Sequence, residues 1–79
     1  MPRWTVYSRP DCSLCDQFLH DLAAALGPAA AAEVAIVDVD TDPDLATRYG
    51  QRIPVLLADG EFVCAIRVDI DRVRGYLRL

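Results

Sequence analysis

Lysine is absent from this 79-residue chain, and its eight basic side chains are all arginine, spread along the sequence rather than clustered. Against twelve acidic residues they leave a formal net charge of -4, which argues against non-specific nucleic-acid binding because that needs a basic face. Long apolar runs are also missing: Gly27, Pro28 and Glu33 interrupt the alanine-rich middle, so no membrane span is expected. Nor is there a secretory pattern, since Arg3 leads directly into a mixed segment with no apolar core or small-residue cleavage site. Cysteine is sparse and odd in number, three residues in all. A disulfide framework would need pairs, so a reducing, cytoplasmic setting is expected. The one histidine, His20, lies off any apolar stripe and reads as a solvated residue. Two thiols therefore lack the second ligand pair that a tetrahedral zinc site requires.

What the chain does have is apolar content, 53%, enough for one small domain over residues 1-79, of a size that buries about 60% of its unfolded surface. Two of the cysteines, Cys12 and Cys15, stand three apart between two differently patterned segments. Trp4 to Ser8 reads as a strand. From Cys15 onward, Cys15, Phe18, Leu19, Leu22 and Leu26 recur at the spacing of one helical face. Cys12 is thus expected at a helix N-terminus and Cys15 on the buried side. In the first turn, unpaired backbone N–H groups and the helix dipole favour a thiolate, and such a thiol typically has its pKa lowered to roughly 3.5 to 7.5. A thiol three positions on lies about 5 to 6 Å away, near enough to form a disulfide and resolve what the first one starts. A static disulfide is the alternative, but so small a loop constrains the unfolded chain little. Asp11 disfavours a thiolate at Cys12, and Arg9, with Arg52, would offset it.

Downstream, Gly27 and Pro28 end the first helix at Leu26, and Ala29 to Ala32 is either a helical turn or a loop. Val34–Val37 is a short β-branched run expected to be a strand buried on both faces. The alternating acids from Asp38 to Asp44 do not make a calcium loop, because Pro43 and Tyr49 stand where Gly and a bidentate Glu belong. They are better read as Thr41 or Asp42 capping a helix with Pro43 in its first turn and Gly50 closing it. Val55–Ala58, the turn pair Asp59-Gly60, and Glu61 to Ile66 then make a β-hairpin. Period-two alternation puts Phe62, Cys64 and Ile66 on one face, with Cys64 a small buried hydrophobe rather than a third redox thiol. Asp69 is the expected cap of a last helix whose stripe is Ile70, Val73, Tyr76 and Leu77.

The order βαβαββα, with Cys-x-x-Cys after the first strand and Ile53-Pro54 before the third, resembles the thioredoxin-like fold: a mixed four-stranded sheet with helices on both faces. Val6 to Cys15, Ile53-Pro54 and Asp59-Gly60 bring the nearer likeness, to the glutaredoxin-like family. That resemblance implies a thiol-disulfide oxidoreductase with Cys12 as nucleophile, Cys15 as resolving thiol, Pro54 in the cis form, and Arg9, Ile53 and Pro54 at the substrate site. It implies no resident cofactor and no metal. The expected partners are a protein or small-molecule disulfide, with a reductase or glutathione as electron donor, acting on a monomer. Glutaredoxins hold glutathione with a Gly-Gly pair and a nearby Asp; the matching positions here are Cys64, Ala65 and Arg67. Efficient glutathione-dependent turnover is therefore not expected. Two other classes share parts of the pattern. A small metal carrier also places Cys-x-x-Cys after a first strand but ends in a strand, whereas a redox-inactive interaction module on this fold would need no thiolate at Cys12.

Overall fold

The computed structural model describes residues 2–78. The first strand, β1 (Trp4–Ser8), alternates buried and half-buried positions. It leads through a short loop to α1 (Ser13–Leu26), whose buried side chains Cys15, Phe18 and Leu22 follow the predicted stripe. α1 stops where Gly27 takes φ +86°, a conformation open to glycine, with its N–H still bonded to the Ala23 carbonyl. Pro28 then opens a separate single turn, α2 (Pro28–Ala31), so the alanine segment is helical: proline at N1 sets φ for the helix at no hydrogen-bond cost.

β2 (Ala35–Asp38) begins one residue later than expected and pairs parallel to β1, Val6 opposite Ile36. It is not buried on both faces. The sheet order is β2-β1-β3-β4, which leaves β2 at an edge, and Ile36 is 59% exposed. A β-branched run marks a strand but does not distinguish an edge from the middle of a sheet. After β2 comes a 3-10 turn (Val39–Thr41), capped by the Asp38 carboxylate accepting from the Asp40 N–H, with Val39 fully buried. α3 (Pro43–Tyr49) follows, capped by Asp42 accepting from the Asp44 N–H.

The hairpin of β3 (Val55–Ala58) and β4 (Glu61–Ala65) turns at Asp59 and Gly60, both at positive φ, as a two-residue turn with the twist of the sheet requires. Asp59 also ties down the start of β1: its N–H donates to the Arg3 carbonyl, and its carboxylate accepts from the Arg3 N–H. β3 is buried throughout and runs antiparallel to β1 and β4.

The alternation expected for β4 fails. A register shift sets Leu56 opposite Cys64 but Leu57 opposite Phe62, leaving Val63 as the extra residue of a bulge. Val63 and Cys64 are therefore both buried, while Phe62 and Ile66 face solvent. Asp69 caps α4 (Ile70–Leu77), its carboxylate accepting from the Arg72 N–H.

α1 and α4 cover one face of the sheet, where Val6, Phe18, Leu22, Leu56, Val63 and Val73 form the centre of the core. Trp4 meets Tyr76 of α4 edge to face, ring centroids 5.6 Å apart. On the opposite face Tyr7 stacks against Tyr49 of α3 at 4.8 Å. Helices thus lie on both sides of a mixed four-stranded sheet.

Phe18 joins α1 to the sheet, so Phe18→Ala is expected to cost about 3–5 kcal/mol, a large share of the roughly 5–15 kcal/mol that holds a domain together. Exposed His20→Ala should stay within about 0.5 kcal/mol. Urea unfolding of the oxidised protein measures both, and equal midpoints for the two variants would contradict this account of the core.

Candidate active site

β1 ends at the buried Ser8, and the chain must reverse within three residues to start α1. Asp11 does this at φ +57°, a left-handed conformation that Asp tolerates better than bulkier residues. Cys12 follows with extended backbone as the N-cap of α1. Its carbonyl accepts the Asp16 N–H at 3.0 Å and its sulfur accepts the Cys15 N–H at 3.1 Å. The sulfur thus occupies the place that a capping oxygen usually fills, at the positive end of the helix.

Cys12 and Cys15 are joined as a disulfide with Cα atoms 5.2 Å apart. The two sulfur-bearing residues differ in access. Cys12 is half-buried in the loop, whereas Cys15 is 1% exposed beneath it, on the stripe that carries Phe18. Solvent reaches Cys12 and does not reach Cys15.

Arg9, expected at the substrate site, pairs within the chain. Its guanidinium grips Asp40 through Nε (2.7 Å) and Nη2 (3.0 Å), and Nη1 donates to the Gly50 carbonyl at 3.4 Å. The hydrogen bond to Asp40 raises the Arg9 pKa above its ordinary value, and both side chains of the pair remain partly exposed. Arg9 links the loop before Cys12 to the turn after β2 and to the end of α3. Gly50 has a corresponding reason to be glycine. Its φ is −55°, not left-handed, but a Cβ there would press on the Ala46 carbonyl and lie 3.1 Å from Arg9 Nη2. Neither Asp40 nor this use of Gly50 has a local sequence signal, because the pairs are brought together only by the fold.

The Ile53–Pro54 peptide bond is cis. The Pro54 ring is fully buried and its carbonyl accepts the Ile66 N–H at 2.8 Å, so only the half-buried Ile53 beside it is in reach of a ligand. Ile66, at φ +71°, in turn lines a groove with Leu14, one of the two residues between the cysteines. The structure therefore joins Cys12 to Cys15 directly, relates Pro54 to them through Ile66 and Leu14, and turns Arg9 toward Asp40. The Leu14–Ile66 groove was not among the sequence expectations. An exposed leucine between two cysteines is its one advance sign.

Cys64, the third thiol, is free and buried. Its sulfur accepts the Asp69 N–H at 3.5 Å, and burial raises its pKa.

The chain matches the family model described as Glutaredoxin-like domain (DUF836) over residues 3–78. It belongs to this family. A Cys-x-x-Cys pair in a glutaredoxin-like domain points to a thiol redox role. Similar solved structures include a Nitrosomonas europaea protein determined by solution NMR, 28% identical, with a TM-score of 0.81 over 96% of this chain and 92% of that one. An X-ray structure of a protein from X. campestris is 36% identical, with a TM-score of 0.74 and 95% of each chain covered. The holo form of glutaredoxin C1 from populus tremula x tremuloides shares 20% identity and a TM-score of 0.55 over 98% of this chain and 75% of its own. That last likeness is one of fold. No curated protein matches the chain.

The pH response of Cys64 tests its placement. A folded-state pKa above the unfolded value gives stability that is whole below the ordinary thiol pKa of about 8.5 and is lost as pH rises through the raised value. The stability difference between oxidised wild type and Cys64→Ala should accordingly narrow at alkaline pH in urea titrations. A difference independent of pH would place Cys64 in contact with water.

Proposed function

We propose that this protein is a thiol-disulfide oxidoreductase in which Cys12 attacks and Cys15 resolves. The observation that carries the reading is the asymmetry of the pair: Cys12 is the reachable N-cap whose sulfur receives the Cys15 N–H, and Cys15 is sealed beneath it. Starting from the reduced dithiol, the Cys12 thiolate forms a bond to one sulfur of the substrate disulfide. The other substrate sulfur leaves as a thiolate and takes up a proton from water. The Cys15 thiol then loses its proton and attacks the Cys12 sulfur, releasing the second substrate thiol. Two electrons have passed to the substrate and the Cys12–Cys15 disulfide remains. A dithiol reductase or two glutathione thiols return the electrons.

Substrate is held, in this reading, along the backbone of Ile53, which takes part in none of the turn and loop hydrogen bonds among the described residues. An extended peptide can pair with such a short edge. Glutathione is the weaker candidate for a tightly bound partner. The side chains of Cys64 and Ala65 stand at the positions where the family resemblance calls for glycine, and Arg67 stands where it calls for an acid, so the α-ammonium of glutathione meets a like charge.

The test is Cys15→Ser, which removes the resolving sulfur and leaves the attacking one. Mixed with a disulfide substrate, this variant should accumulate a mixed disulfide on Cys12, identified by peptide mass mapping, while the wild type does not. Adducts confined to Cys64, or no adduct, would refute the assignment.

A further inference from the structure

Five large apolar side chains stand exposed among the described residues: Leu14, Ile36, Phe62, Ile66 and Ile70. Single exposed apolar residues need no explanation. Three of these five, however, share one trough. Its upper part is lined by Leu14, Phe18, Ile66 and Arg67 and its lower part by Ala25, Ile70 and Arg74. Asp21 and Val68 belong to both parts, so the two are continuous. Leu14, Ile66 and Ile70 are 55%, 41% and 37% exposed. The trough runs between α1 and the segment joining β4 to α4, and its upper end is Leu14, immediately before Cys15.

Charge along the trough is uneven. Asp21 accepts a hydrogen bond from Gln17 Nε2 at 2.9 Å. Arg67 and Arg74 enter no ion pair among the described residues. With Asp21 shared by both parts, the rim carries two positive charges to one negative above an apolar floor, on a chain of net charge -4. The α1 stretch from Leu14 to Ala25 rises about 16 Å at about 1.5 Å per residue. That matches about five residues of extended chain at about 3.3 Å each, more than a tripeptide such as glutathione fills.

The geometry points to a docking track for a polypeptide substrate: the chain flanking its reactive cysteine lies along α1, apolar side chains on Leu14, Ile66 and Ile70 and an acidic side chain beneath Arg67 and Arg74. This deepens the oxidoreductase reading and rests on it, because the track has a purpose only if Cys12 exchanges with a disulfide at its upper end. Continuity with the dithiol selects a substrate segment over a membrane surface or a second copy of the chain, and the two arginines select acid in the flank of that segment.

The test uses a fluorescent peptide with serine in place of the reactive cysteine, leucines and aspartates on one side of it, and anisotropy as the readout. Wild-type protein should bind it about tenfold tighter than a version with lysine for each aspartate and than one with serine for each leucine, a margin of about 1.4 kcal/mol. Ile70→Ser and Arg67→Glu should each weaken binding of the first peptide by a similar factor. Equal binding of all three peptides, or no binding, overturns the track, and these arms need no variant to fold. Oxidation of the reduced wild type to the Cys12–Cys15 disulfide by excess hydroxyethyl disulfide, a single turnover that releases two mercaptoethanol molecules, reports separately on the underlying reaction: its absence in mass mapping would remove the oxidoreductase reading, whereas peptide selectivity alone decides the track.

Discussion

The amide of Cys15 donating to the sulfur of Cys12 is the contact on which the rest of the structure converges. It exists only if α1 starts where it does, and that start is set by the end of β1. β1 is an inner strand, held by parallel β2 on one side and antiparallel β3 on the other, so its end has little freedom. Asp11 in the left-handed region makes the reversal short enough for Cys12 to reach the cap position. The helical repeat does the remainder: a residue three positions on points inward with Phe18. One sulfur is thereby presented and the other withheld, a division of labour that two equally exposed thiols would not have.

Elements built from local signals could be read before the fold was known. The α1 stripe, the Asp42 and Asp69 caps, the Gly27 break and the Asp59-Gly60 hairpin each depend on a few neighbouring residues, and the dithiol with Ile53-Pro54 adds the family likeness. Features that depend on distant chain were not readable. Val34–Val37 has the composition of an interior strand, yet β2 lies at an edge because the next strand, β3, pairs with the other side of β1. The bulge at Val63 cannot be told from composition, since Phe62, Val63 and Cys64 are all apolar and only the pairing with Leu56 and Leu57 decides which two turn inward. Arg9 and Asp40 are 31 positions apart, and nothing near either predicts that the basic residue before the dithiol is committed to that carboxylate.

Beneath the site, the third thiol is kept apart from the Cys12–Cys15 pair. Cys64 faces the core from the bulged strand, hydrogen-bonded by the Asp69 N–H and held protonated by its burial, so it is a poor nucleophile as well as an inaccessible one. The same strand leads into Ile66 and Arg67, whose exposed side chains border the groove from Leu14. In this family member the positions around the dithiol thus combine apolar surface with arginine.

The central claim is that Cys12 alone is activated by its place at the head of α1. Alkylation of the reduced protein over a range of pH, with each cysteine quantified by mass mapping, tests it most directly. The account predicts that Cys12 reacts first, with a rate that reaches half its maximum below the ordinary thiol pKa of about 8.5, while Cys64 reacts last. Faster reaction at Cys15 or Cys64, or a Cys12 profile centred on the ordinary value, would contradict it.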